Sequence, residues 1–306
     1  MSASVTGRIN MIKQPYGGYI KPSKMKEIKR NDNIVLNSNE NIDASNVGLV
    51  VDYLTRMIMS VDELPDKSIE YIRACFNDAF SISLIGYSNA LKAIVDIPYS
   101  FEDIVNELCV AVSENDIDNA IICACKIVVF DIFYRNIANA FRFLNKLFDK
   151  VVPDADTIHN IRTMISRSIA FFTEYGPITK HGFTFEPPES TAEDYKIFRD
   201  TCQQYVNIKR SFGGYTETVC AGDGDFLTHD TIWEFKVSRN KPTNKHTLQL
   251  LMYYIMGKHS GQSVYKTIKN IGIFNPRLNT VYIFDISTVP IETIQTVEKD
   301  VIGYEV

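Results

Sequence analysis

The run Thr231–Val237 fixes its own geometry. In an extended strand, residues two apart share a face, so Glu234 and Lys236 point one way while Trp233, Phe235 and Val237 point the other. A fold built on this run must bury an aromatic sheet face and hold an acid beside an amine. Shortly upstream stands Gly222-Asp223-Gly224-Asp225. An acid, a short hairpin and then Glu-x-Lys on an apolar strand is a pattern suited to metal-dependent phosphodiester hydrolysis. Carboxylates hold a divalent cation, and a side-chain amine stands near the attacking water and the scissile phosphate.

Composition sets wider limits. A chain of 306 residues can bury a large core, as one domain with an insertion or as two. Its net charge of −5 argues against a nonspecific nucleic-acid coat but permits a local basic surface. Cys75, Cys109, Cys123, Cys125, Cys202 and Cys220 stand mostly in apolar helical patterns and form no Cys-x-x-Cys pair. Buried free thiols in a reducing, cytoplasmic compartment are expected, and neither a zinc nor an iron–sulfur site. The first twenty residues are polar, unlike a signal peptide. The most apolar stretch, Ala120 to Tyr134, is interrupted by Lys126 and Asp131, so it reads as a buried helix and not as a membrane span.

Residues 1–45 are polar, with a basic cluster at Lys21, Lys24, Lys26, Lys29 and Arg30 and with Tyr16 and Tyr19 flanking Gly17-Gly18. They read as a solvated arm or as a contact to phosphate backbones. Helical spacing dominates from about 47 to 210: Val47–Met59, a segment from Asp66, Phe101–Val112, a long helix from Ile117 to Phe148, one ending near Gly176, and Thr191–Lys209. Asn115 or Asp116 can cap the long helix. The texture changes near Ser211, where β-branched alternation begins. Thr216–Cys220 and Thr231–Val237 read as strands, Thr247–Gly257 as a helix, and Lys269–Phe274 with Thr280–Ile286 as a hairpin. A last helix follows Pro290. The C-terminal third is therefore an α/β core behind a large helical block.

Three segments in order carry a family resemblance: Gly222-Asp223-Gly224-Asp225, Glu234-Phe235-Lys236 and Gln249-Leu250-Leu251-Met252-Tyr253. They resemble the Gly-x-x-Asp, (Asp/Glu)-x-Lys and Gln-x-x-x-Tyr motifs of the PD-(D/E)xK nuclease superfamily, in its RecB-like exonuclease branch. The resemblance implies a restriction-endonuclease-like α/β core, a mixed central sheet flanked by helices, with a large inserted α-helical block. Asp225 at the end of the first strand and Glu234 on its hairpin partner would hold Mg²⁺ or Mn²⁺. Lys236 would position the attacking water or offset charge at phosphorus. Gln249 and Tyr253, four apart, would share a helix face near the substrate. Asp223 is a rival to Asp225, though the motif register favours Asp225.

The family's upstream Gly-x-x-x-His has a counterpart in Gly48-Leu49-Val50-Val51-Asp52, with Asp in place of His. Two readings of Asp52 stand: a third metal ligand, or a surface acid paired with Arg56 one turn on. Glu174 and His159 are weaker candidates for that position. The implied organisation is an arm over 1–45, a first core helix over 46–60, a helical insertion over 61–210 and the nuclease core over 211–306. Arg239, Lys241 and Lys245, in a run that also contains His246, follow the catalytic strand and either grip a DNA backbone or are simply solvated. No cysteine follows Cys220, so the branch's iron–sulfur cluster is not expected.

The resemblance implies a metal-dependent deoxyribonuclease, by branch an exonuclease, cutting single strands or duplex ends through a metal-activated water. The alternative is a catalytically weak or inactive DNA-binding or assembly protein on the same scaffold, with the helical block as a surface for a protein partner.

Overall fold

A computed structural model of the chain describes residues 3–179, 182–191, 193–194, 196–198, 200 and 211–305. The chain forms two compact units, Met1–Arg30 with Tyr175–Val306, and Asn31–Glu174. This division by compactness falls at 30 and 174, whereas the expected boundaries stand at 45, 60 and 210. The first thirty residues belong to the α/β unit because they contribute backbone to it. That segment contains β1 (Ala3–Ser4), α1 (Val5–Met11) and β2 (Lys26–Lys29). Ser4 caps α1 by accepting from the Gly7 amide at 3.1 Å, and Val5 and Ile9 are buried. The Arg30 amide donates to the Asn279 carbonyl at 2.8 Å, fastening the segment where the chain leaves the sheet.

The helical unit holds α2 (Ala44–Asp62), α3 (Ile69–Ala79), α4 (Ser81–Lys92), α5 (Phe101–Ser113) and α6 (Ile117–Val128). It continues with α7 (Asp131–Arg135), α8 (Ile137–Arg142), α9 (Leu144–Leu147) and α10 (Ala155–Tyr175). The expected first core helix is α2; it buries Val47, Val50, Val51, Leu54 and Ile58 and packs on α3 and α6, within the helical unit. Asp116 is the N-cap of α6, accepting from the Asn119 amide at 3.2 Å.

The single helix expected over Ile117–Phe148 is broken after Val128. Asp131 turns inward, where its carboxylate accepts from the Tyr53 hydroxyl at 2.7 Å, from the Ser83 hydroxyl, and from Arg135 at 3.3 Å. A buried carboxylate is tolerated only with such partners. Gly86 of α4 backs onto the Phe130 carbonyl, which a Cβ would overlap. Asn136 then starts α8 by capping the Asn139 amide at 3.2 Å. Most of the helix expected over Thr191–Lys209 lies outside the described residues.

The C-terminal third supplies β3 (Val219–Ala221), β4 (Phe226–Leu227), β5 (Thr231–Phe235), α11 (Asn244–Ser260), β6 (Asn270–Asn275) and β7 (Thr280–Asp285). The last helix, α12 (Ile291–Thr296), runs into a π-helical turn, Val297–Ile302, that buries Val297 and Val301. The mixed five-stranded sheet has the order β2-β7-β6-β5-β4. β5 and β6 are parallel and are joined through α11, while the other pairs are antiparallel. β3 pairs instead with β1 in a separate parallel ribbon.

The register aligns Glu234, Ile273, Tyr282 and Glu27 in one row across four strands. Ile232, Ile271, Ile273, Tyr282 and Phe284 on that face join one core with Leu248, Leu251, Met252 and Ile255 of α11. The opposite face carries Phe226, Trp233, Phe274 and Val281, all buried, with Phe226 stacked on Trp233 at 5.9 Å. Every residue of β5 is therefore buried, the Glu234 face included. Gly261 ends α11 at φ 79°, in the left-handed region that glycine tolerates. No helix among the described residues is long and apolar enough to cross a membrane.

Gly272 lies under Trp233, the chain's one tryptophan, and a Cβ there would overlap the indole. Gly272→Ala is expected to destabilise the protein by roughly 1–3 kcal/mol through overpacking. Urea denaturation followed by Trp233 fluorescence measures it; an unchanged midpoint would refute this packing.

Candidate active site

β4 and β5 pair as Phe226 with Trp233 and Leu227 with Ile232. Continued by one residue, that register sets Asp225 opposite Glu234. Asp225 thus stands at the start of Glu234's hairpin partner, and not at the end of the preceding strand as expected. The Phe235 amide donates to Asp225 Oδ2 at 2.6 Å, so the carboxylate takes the place of the next ladder carbonyl.

Glu234 is only 3% exposed. Its Oε1 is ion-paired with Lys236 Nζ, while its Oε2 is buried and accepts no hydrogen bond. Burial raises its pKa, the nearby Asp225 charge adds to the rise, and Lys236 opposes it. Lys236 is anchored through its backbone, the amide donating to the Phe274 carbonyl at 2.9 Å. Its side chain is half-buried.

The loop that brings Asp225 here is held carbonyl by carbonyl. The Tyr215 hydroxyl donates to the Gly222 carbonyl at 2.7 Å, and the Tyr253 hydroxyl to the Asp223 carbonyl at 2.7 Å. The Phe183 amide donates to the Gly224 carbonyl at 3.1 Å, and the Gly224 amide returns a bond at 3.0 Å. Gly224 has to be glycine because a Cβ would overlap the Phe183 ring.

Gln249 and Tyr253 do share a face of α11, with Gln249 Nε2 donating to the Tyr253 hydroxyl at 2.8 Å. Burial, then the charges of Glu234, Asp225 and Asp223, raise the Tyr253 pKa well above its ordinary value. Tyr253 is therefore a fixed donor to the loop. Asp223 is exposed at its tip.

His246 was expected within a basic run. Burial and the adjacent Lys236 charge push its pKa down to about 4, so it is neutral at ordinary pH. Its Nδ1 accepts from the Thr243 amide at 3.2 Å at the start of α11. Arg239, Lys241 and Lys245 are exposed. Lys241 pairs with Glu27 Oε2 at 2.7 Å, and Lys245 donates to Asn10 Oδ1 at 2.8 Å.

Sequence reasoning missed Phe183 and Tyr215, which have no motif of their own, and Asn275. Asn275 is 1% exposed and donates to the Ser238 carbonyl at 2.8 Å, fixing the chain as it leaves β5. Its place before Pro276 at the β6–β7 turn was the available signal.

The structure brings Asp225, Glu234, Lys236, Gln249 and Tyr253 into one unit. Asp52 belongs to the helical unit, where Arg56 holds its carboxylate through two bonds of 2.7 and 3.1 Å. His159 and Glu174 lie on α10. Among the described residues, no group of three or more His, Cys, Asp or Glu side chains is arranged to hold a metal ion. Two hard carboxylates beside each other, one with a buried and unpartnered oxygen, nevertheless fit a small divalent cation completed by water or phosphate oxygens. Cys75, Cys109, Cys123, Cys125 and Cys220 are free and buried, and Cys202 lies outside the described residues.

Compared with known proteins, the chain matches no family model, no curated protein and no solved structure.

The raised Glu234 pKa has a consequence for stability. Between the unfolded value, 4.5, and the folded value of about 7, the folded state keeps a proton that the unfolded state releases. Stability from this group is full below the unfolded value and falls as pH rises through that window. Glu234→Gln removes this slope. In chelator, the stability of wild type relative to Glu234→Gln is expected to fall by on the order of 2 kcal/mol between about pH 5 and about pH 8. Urea melts of both proteins measure it, and parallel pH profiles would contradict the assignment.

Proposed function

We propose that the chain is a divalent-metal-dependent nuclease that hydrolyses DNA phosphodiester bonds on a restriction-endonuclease-like core. The observation that carries this reading is the Glu234 carboxylate: buried, paired to Lys236 through one oxygen, unpartnered at the other, and beside Asp225. Most buried side-chain polar atoms in folded proteins have a partner, so an unpartnered carboxylate oxygen beside a second carboxylate favours a bound cation. The parallel β5–β6 pair, joined through α11, supports the core assignment.

Asp225 and Glu234 hold the cation in this reading. When bound, the cation supplies Lewis-acid activation of water and neutralises phosphate charge. Lys236 stabilises negative charge that develops on the phosphoryl oxygens and orients the attacking water. Gln249 and Tyr253 act through the loop, keeping Asp225 at its station opposite Glu234. Mg²⁺ or Mn²⁺ suits a site with two carboxylates. Cutting from ends, as an exonuclease, is the mode that the resemblance to the RecB-like branch favours.

The engagement of Asp52 by Arg56 supports a second reading, a DNA-binding or assembly protein that cleaves weakly or not at all. The two separate in a titration of Mn²⁺ against labelled linear and circular DNA. Metal-dependent cleavage of linear DNA is expected, with Lys236→Ala slower by on the order of a hundredfold. Asp225→Asn is expected to lose the stabilisation that Mn²⁺ gives the wild type in a thermal melt. Equal cleavage by wild type and Lys236→Ala would assign the activity to a contaminant and sink the nuclease reading. Discrete fragments from circular DNA would replace the exonuclease mode with an endonuclease.

A further inference from the structure

Tyr16 is 99% exposed. A large aromatic ring standing fully in water has no share in the core and is not explained by folding. Its position is nonetheless fixed. The Gly18 amide donates to the Pro15 carbonyl at 2.8 Å, closing a turn with Tyr16 at its tip. Gly17 and Gly18 follow at φ 82° and 88°, a backbone that glycine supplies without strain. The turn is seated as well: a Cβ on Gly18 would stand 2.6 Å from Asn244 Cβ, so glycine permits close approach to the first residue of α11. Two residues on, the Ile20 carbonyl accepts from the Thr247 hydroxyl at 2.7 Å.

On one side of the turn Glu292 shares a pocket with Lys13, Pro15 and Tyr19, and Asp300 acts on Tyr19; the side toward α11 is basic. Segments 13–30 and 236–246 hold ten Lys and Arg residues and one acid, Glu27, in a chain of net charge −5. Glu27 is already engaged by Lys241 at 2.7 Å and Lys29 at 3.8 Å. The two segments adjoin: Lys241 reaches Glu27, and Gly18 stands against Asn244, while Lys245 donates to Asn10 of α1 at 2.8 Å. The Lys21 stem lies against Gly17, 3.2 Å from where a Cβ would be. His246, one turn into α11, lies within the field of Lys236. Cationic side chains thus extend from the Tyr16 turn along the start of α11 to the candidate active site.

We propose that this face binds a single nucleic-acid strand, with an unstacked base on the Tyr16 ring and phosphates along Lys21, Lys245 and Lys241 toward Lys236. An exposed aromatic beside a basic track is the chemistry that favours single strands, because a duplex keeps its base faces covered. The surface names the substrate class for the site at Asp225 and Glu234, and to that extent rests on the nuclease reading. Binding itself requires neither metal nor cleavage.

The test is fluorescence anisotropy in EDTA, using a labelled oligothymidylate of about 15 nucleotides and a duplex of equal length. Wild type is expected to prefer the single strand. Tyr16→Ala should weaken single-strand binding by about tenfold, and Tyr16→Trp should retain wild-type affinity. Lys245→Ala should lower the salt slope by about 0.7, the loss of one phosphate contact, whereas Tyr16→Ala should leave the slope unchanged. Single-strand affinity that is equal in wild type and Tyr16→Ala, or a wild-type preference for duplex, overturns the proposal. Tyr16-dependent binding without Mn²⁺-dependent cleavage would keep this surface and remove the nuclease. Cleavage with Tyr16-independent binding would do the reverse.

Discussion

The hydrogen bond from the Phe235 amide to Asp225 Oδ2 sits where the β4–β5 ladder runs out of backbone partners. β4 is only two residues long, Phe226–Leu227. Beyond it the chain turns away, and a side chain supplies the acceptor the ladder needs. That substitution does two things at once. It extends the pairing of β5 to its last residue, and it holds the Asp225 carboxylate across from Glu234. Burial first, and then repulsion from the Asp225 charge, make Glu234 resist ionisation. Lys236 relieves part of this, and a divalent cation would relieve more. The site is thus built on an electrostatic conflict that the sheet core is rigid enough to maintain.

Maintaining it depends on the Gly222–Gly224 loop, whose successive carbonyls are taken up by Tyr215, Tyr253 and Phe183. The two tyrosines deliver side-chain hydroxyls while filling core volume, and Phe183 donates its backbone amide while its ring packs against Gly224. Tyr253 makes edge contacts with the Phe183 ring at 5.8 Å and lies near Phe185 at 5.4 Å. The loop therefore rests on a packed aromatic layer beneath α11, and Gln249 completes the chain of bonds from the helix surface inward. The Gln-x-x-x-Tyr spacing reads here as a device for setting backbone, with no need for either side chain to touch a substrate.

Much of this was legible beforehand because it is local. Period-two alternation located β5, β6 and β7, and the i, i+4 rule put Gln249 with Tyr253 and also Asp52 with Arg56. What was not legible is long-range. Lys26–Lys29 looks solvated by composition, and only its pairing with Thr280–Asp285 makes it a strand. The helix over Ile117–Phe148 breaks because Tyr53 and Ser83, far away in sequence, receive Asp131. The neutral state of His246 follows from burial next to Lys236, which no charge pattern encodes. Phe183 and Tyr215 carry no signature, since donating to a carbonyl in a loop asks nothing of their neighbours in sequence.

The same distinction bears on how the chain is divided. The helical unit enters between β2 and β3, and both crossing points are fixed on the α/β unit. Arg30 is tied to Asn279 where the chain leaves, and the Tyr175 ring lies edge-on to Trp233 at 5.2 Å where it returns. An insertion bounded this way leaves the sheet's edge strand dependent on contacts far apart in sequence, a topology that delays pairing until long loops close. β2 is the edge strand placed in this way, by its pairing with β7. It is also the strand whose Glu27 meets Lys241, in the loop between β5 and α11. That surface ion pair ties the sheet edge to the loop that leaves β5, a weak contact that follows from the β2–β7 pairing and does not decide it.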